Sequence, residues 1–124
     1  MTGYGTVYEL SRASATPNGV WAERILYNFA LDAWGSSGVI FGADGSLYGT
    51  TINGGAADCG TIYKLSPAAP AANQEWQLTI LHRFNGSDGC QPDANLTLGP
   101  DGNLYGTTAT GGAGGAGVVF EITP

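Results

Sequence analysis

The sequence predicts an all-β, propeller-like repeat: two four-stranded antiparallel blades plus one extra strand, part of a larger array or a subunit in one. Three observations carry this expectation. First, "DGSLYGTTINGG" at 44–55 returns as "DGNLYGTTATGG" at 101–112, and a recurring block at a fixed period marks a repeat architecture. Second, the recurring blocks alternate apolar and polar positions and are rich in β-branched and aromatic residues, the composition of half-buried strands. Third, no segment holds a helical period, and 21 of 124 residues are Gly, which disfavours helix interiors.

Each element can be justified in chain order. "GTVYEL" at 5–10 is matched by "GTIYKL" at 60–65 and "GVVFEI" at 117–122. Its alternation sets Val7 on one face and Tyr8 with Leu10 on the other. "WAERILYNF" at 21–29 is matched by "WQLTILHRF" at 76–84. Read as an unbroken strand, it places Ile25, Tyr27 and Phe29 on one face. "GVIFGADG" ends in Asp-Gly, a hairpin signal, and the "LYGTT" strand follows directly. Gly49 and Gly106 in that strand are read as places of close backbone approach. Thr50, Thr51, Thr107 and Thr108 are read as cross-strand hydroxyl pairs. "SRASATPNG" and "SPAAPAANQE" read as solvated connections.

Gly5 to Gly60 and Trp21 to Trp76 each span 55 residues, whereas Asp44 to Asp101 and Gly60 to Gly117 span 57. The two added residues therefore fall between Phe84 and Asp101. The chain divides into repeat 1 at about 5–59, repeat 2 at about 60–116, and a partial third repeat at 117–124. Each unit holds a Trp strand, a pre-hairpin strand, an LYGTT strand and a GTVY strand. Blade periods run to roughly 40–50 residues, and one longer loop accommodates the excess. A β-solenoid coil is the rival, without a reason for a hairpin at a fixed place.

The chain both starts and ends on a GTVY strand, so it carries nine strands where two blades need eight. Two blades cannot close a ring, and repeats bury their apolar faces only against further repeats. The expectation is therefore further repeats of the same protein or other copies of the chain as partners. The surplus strand would either compete with its counterpart in the next copy or add to an open sheet edge.

Net charge is −6 and only 11% of residues are charged. Four Lys and Arg provide no basic surface to neutralise phosphates, which excludes nucleic acid as a partner. No apolar run approaches the ~20 residues that span a bilayer, so membrane insertion is not expected. The first residues lack the basic segment and apolar stretch of a signal peptide, so an export signal would lie outside the chain. Cys59 and Cys90 have no His partners for zinc. They read as a disulfide, with two free buried thiols as the alternative. A disulfide would place the chain in an oxidising compartment, extracellular or at a cell surface. Asn85-Gly-Ser and Asn95-Leu-Thr are N-glycosylation sequons.

The search for chemistry finds no catalytic constellation and assigns no cofactor or metal. His82, the single histidine, reads as a surface or lining residue. Asp44 and Asp101 each precede Gly at a hairpin, where turn chemistry accounts for them. Asp88 and Asp93 flank Cys90 without calcium-loop spacing. "NGG" and "TGGAGGAG" lack the Lys-Ser/Thr of a phosphate loop. Trp21 and Trp76 repeat and are read as blade-to-blade packing. Trp34 does not repeat; it either stacks on a carbohydrate or anchors a partner, or it covers a local core.

The pattern "W…ILY.F", "DG.LYGTT..GG", "GT(V/I)(Y/F).L" resembles the GloVer tandem repeat of bacterial "choice-of-anchor" surface proteins, over essentially the whole chain. The second unit, including "GSDGCQPDANL", is nearer the pattern than the first, which has "ALDAWGSSGVI". The last strand has Gly117-Val118 where Gly-Thr is usual. The resemblance implies export, attachment at the cell surface and many repeats per protein, and supplies no catalytic residues. The functional expectation is a non-enzymatic extracellular structural or binding module, completed by self-assembly or further repeats. The alternatives are a subunit of a filament built by β-strand addition and a fragment of a polysaccharide-acting propeller enzyme.

Overall fold

A computed structural model describes residues 3–12, 19–68 and 75–124. Most of both predicted solvated connections, residues 13–18 and 69–74, lies outside the described residues. Among the described residues nine strands form, in the expected order: β1 (Thr6–Arg12), β2 (Trp21–Asn28), β3 (Ala33–Phe41), β4 (Leu47–Gly54), β5 (Thr61–Ser66), β6 (Gln77–Arg83), β7 (Thr97–Leu98), β8 (Leu104–Thr107) and β9 (Val119–Ile122). No helix is present among the described residues.

These nine strands pair only antiparallel and sort into three sheets, β1-β2, β3-β4-β5-β6 and β7-β8-β9. The strand grouping differs from the sequential repeat units. Each Trp strand closes the sheet of the GTVY strand before it, β2 on β1 and β6 on β5, rather than opening the sheet that follows. The complete unit is thus pre-hairpin, LYGTT, GTVY, Trp. One such sheet is whole, one lacks its first two strands, and one lacks its last.

The Asp-Gly hairpins are three-residue loops built on a turn with Gly in the left-handed region. The Gly42 amide donates to the Ser46 carbonyl at 2.8 Å, and Gly45 has φ +77°. Gly99 and Asn103 repeat the bond at 2.8 Å, with Gly102 at φ +83°. Asp44 Oδ1 accepts from the Ser46 amide at 3.0 Å, and Asp101 Oδ1 from the Asn103 amide at 3.1 Å. The second oxygen of each Asp accepts from the tyrosine of the following Leu-Tyr-Gly-Thr strand, Tyr48 at 3.1 Å and Tyr105 at 2.6 Å. One carboxylate thus fixes both the turn and the first residues of the next strand.

Gly49 and Gly106 serve a different purpose from the one expected. Gly49 lies opposite Tyr63 and Gly106 opposite Phe120, and the aromatic side chain occupies the space that a Cβ would need. The close approach is of a ring, not of backbone. The expected hydroxyl pairs form at two of the four threonines: Thr51 meets Thr61 at 2.8 Å and Thr50 meets Ser37 at 2.7 Å, whereas Thr108 Oγ1 accepts from the Val118 amide.

The Trp strands are not regular alternations. The register runs Val7 to Tyr27 and then Tyr8 to Ile25, so Leu26 is the extra residue of a bulge. Ile25 and Tyr27 therefore face opposite ways, Leu26 turns into the core, and Ile25 is exposed. The same slip occurs in β6, where Ile62 pairs with His82 and Tyr63 with Ile80.

Two apolar clusters hold the sheets in sequence. The first joins Val7 and Leu26 of the first sheet to Ala33, Leu47, Tyr63 and Leu65 of the second, with Phe29 between them. The second joins Tyr48 and Ile62 of the second sheet to Leu104 of the third, with Phe84 and Leu96 completing it. Phe29 meets Tyr63 edge-on at 5.1 Å, and its repeat counterpart Phe84 lies 5.3 Å from Phe120. The four-stranded sheet is thus buried on both faces, while each outer sheet is covered on one.

Candidate functional site

The repetition makes the outer sheets informative, because each residue there has a counterpart whose surroundings are complete. Tyr63 and Leu65 of β5 are fully buried, and Trp76, Leu78 and Ile80 pack against the same cluster. Four of their five counterparts, Tyr8, Leu10, Trp21 and Ile25, are apolar and share one face, because Tyr8 pairs with Ile25 and Arg12 with Trp21; the fifth, Glu23 at the place of Leu78, pairs with Leu10 on that face. That face is open: the four are 56%, 53%, 62% and 45% exposed. Scattered exposed apolar residues are ordinary, but a contiguous set marks a contact surface. Trp21 therefore does not pack between sheets, although Trp76 packs against the first cluster; among the described residues no sheet lies on the Trp21 side.

The opposite end mirrors this. Val7 and Ile62 are buried in the two clusters, yet their counterpart Val119 is 80% exposed. Among the described residues, β1 has no strand on its outer side, and β9 has none on its own. A cleft of about 320 Å³ runs beside the free side of β1, between residues 6–8 of that strand and residues 36–39 of β3. Unpaired edges bearing apolar side chains are templates for strand addition.

Charge differs between the two hairpins. Lys64 Nζ lies 2.7 Å from Asp44 Oδ2. This ion pair, with the Ser46 amide, holds the Asp44 carboxyl far below the usual carboxylate range, and it raises the Lys64 ammonium. At the place of Lys64 the third sheet has Glu121, which accepts from Asn103 Nδ2 at 2.5 Å. Asp101 is also lowered, first by the Tyr105 hydroxyl, while Tyr105 is pushed up to about 12 by the same bond.

The remaining sequence candidates are dispersed. Cys59 and Cys90 form the expected disulfide, with a Cα–Cα distance of 4.4 Å. It pins the loop before β5 to the segment between β6 and β7, where the Gln91 amide also donates to the Cys59 carbonyl at 2.9 Å. Trp34 is exposed on β3, opposite Asn53. Asn85 is exposed, and its Oδ1 accepts from Ser87 and Asp88 as the pivot of a tight turn. Asn95 is exposed beside Gly38. His82 Nε2 lies 2.8 Å from Asp88 Oδ2, edge-on to Phe84. Burial pushes the Asp88 carboxyl up, but the Asn85 amide and His82 outweigh it and leave it lowered. Asp93 stands apart and exposed. Among the described residues, no three His, Cys, Asp or Glu are placed to hold a metal ion.

The open Tyr8 face and β1 edge were not identified residue by residue in the sequence. The nine-strand count pointed toward them; the phase of the sheets located them. A family model described as the Gloeobacter/Verrucomicrobia repeat matches residues 1–124. No curated protein and no solved structure matches the chain.

Proposed function

The chain belongs to the Gloeobacter/Verrucomicrobia repeat family, and from that premise we propose that it is a non-enzymatic extracellular structural module whose incomplete sheets are completed by other copies of itself. One observation carries the reading. Side chains buried in the middle of the molecule are exposed at both ends where the same motif recurs, Tyr63 against Tyr8 and Ile62 against Val119. A surface that the same sequence pattern buries elsewhere in the chain is shaped to be covered by that pattern.

The propeller arrangement belongs to this reading: sheets stacked face to face through two repeated clusters are the start of a ring or of an open stack. A contact that joins one end of a copy to the other end of the next is heterologous, closing into a ring or continuing as a filament according to its rotation. The extracellular assignment draws support from the Cys59–Cys90 disulfide, since such bonds persist in oxidising compartments.

The test is the native mass of the 124-residue chain, by light scattering over a wide concentration range. A defined multiple of 12.7 kDa, or a mass that grows with concentration, is expected. A folded monomer at every concentration overturns the proposal.

A further inference from the structure

We propose that the partner of the free β1 edge is β8 of a second copy, so that the β1-β2 hairpin of one copy completes the β7-β8 sheet of the next and takes the place that β9 holds within a single chain. This rests on the self-assembly reading and specifies its contact.

The register follows from the pairings inside the molecule. β4 meets β5 with Leu47 opposite Leu65, Tyr48 opposite Lys64 and Gly49 opposite Tyr63. β8 meets β9 with Leu104 opposite Ile122, Tyr105 opposite Glu121 and Gly106 opposite Phe120. The counterparts in β1 are Leu10, Glu9 and Tyr8. Tyr8 would therefore lie over Gly106, where the absence of a Cβ leaves room for a ring. Leu10 would lie opposite Leu104, and both exposed side chains of β1 would be covered. The strand from the second copy would run along the cleft between residues 6–8 and 36–39.

A hydrogen-bond donor favours β8 over a β4-like strand. β4 brings Asp44, which is matched by Lys64 across the strand pair. β8 brings Asn103, which already donates to the Glu121 carboxylate. Both hairpins carry an Asp, Asp44 and Asp101, but at the position of Asn103 the first hairpin has Ser46; Glu9, the counterpart of Glu121, can accept the same hydrogen bond from Asn103.

Strand number and length favour the exchange over β9. β9 pairs over four residues and leaves a three-stranded sheet with Val119 exposed. β1 is a seven-residue strand that carries β2 with it, giving the pre-hairpin, LYGTT, GTVY, Trp order of the central sheet. Val7 would stay buried against its own second sheet, while Phe120 and Ile122, which pack against the second cluster, would leave it with β9 and be replaced there by Tyr8 and Leu10. Trp21 would gain the kind of neighbour that Trp76 has, whose amide donates to the Leu26 carbonyl at 3.0 Å.

The experiment mixes two full-length variants, Glu9→Cys and Tyr105→Cys, and treats them with a short thiol–thiol crosslinker while native mass is measured in parallel. These positions face each other across the proposed strand pair. The expected product is a covalent dimer with one of each variant, linked at those two positions by mass spectrometry. A third variant, Tyr8→Ala, alters a side chain exposed in the single chain, and it should weaken association by roughly tenfold or more. An oligomer without the 9-to-105 link overturns this pairing and leaves the self-assembly reading standing. A folded monomer without the link overturns both.

Discussion

At the scale of residues, a few positions hold each repeat together, and their roles can be separated. Gly49 and Gly106 give way to the rings of Tyr63 and Phe120. Gly49→Val should therefore destabilise the fold by about 1–3 kcal/mol, the usual range for overpacking, visible as a lower denaturant midpoint. Tyr63 is buried and its hydroxyl meets Ser36 Oγ at 2.8 Å. Burial pushes its pKa from 10.0 up to about 12, opposed by the Ser36 bond. A raised folded-state value means that its contribution is full below pH 10 and is lost between pH 10 and about 12. Denaturation midpoints followed from pH 9 upward should fall across that window, and Tyr63→Phe should flatten part of the fall. Asp44 has the opposite sense. Its lowered carboxyl stabilises above the ordinary carboxylate value of 3.8 and loses that contribution as acid titrates it. A Tyr63 ring enclosed by two sheets was not visible in "GTIYKL", because "GTVYEL" reads the same and its Tyr8 is exposed.

At the scale of elements, the Trp strands and the disulfide give the clearest tests. Phe29, just beyond β2, is buried between two sheets, whereas Trp21 at the start of β2 is exposed. Phe29→Ala should cost about 3–5 kcal/mol, and Trp21→Ala in dilute solution within about 0.5 kcal/mol. Chemical denaturation of the two variants compares them directly, and equal losses would contradict the layering described above. The Cys59–Cys90 bond closes a span of 31 residues. On the chain-entropy model it contributes about 3–4 kcal/mol, so a reductant should lower the unfolding midpoint correspondingly. The cysteine pair was legible from count and context. The bulge at Leu26 was not: a single extra residue leaves an apolar run unchanged in sequence and shows only in the partner strand's register.

At the scale of the molecule, three sheets in series leave two uncovered ends. Each copy carries a net charge of −6, so copies approaching end to end repel one another. Charges more than about 10 Å apart are largely screened at 0.1 M salt. Association should therefore strengthen from low salt to moderate salt, read as a shift of the sedimentation or light-scattering transition to lower concentration. Weakening over that range would mean that salt bridges rather than apolar faces join the copies. Assembly should also move the emission of Trp21 to shorter wavelength as it leaves water, a change absent in Trp21→Phe.

The sequence by itself determined the nine strands and their order, the two Asp-Gly hairpins, the period and the cysteine pair, because these depend on local chemistry: alternation, turn geometry and residue count. Only the tertiary structure decided where one sheet ends and the next begins. A tandem repeat has no intrinsic starting point, so the same text can be cut before or after the Trp strand; backbone hydrogen bonds between β5 and β6 make the cut. The tertiary structure likewise decided which of three near-identical GTVY strands is enclosed. Burial is a property of neighbours, and the strand in the middle has them on both faces while the strands at the ends do not.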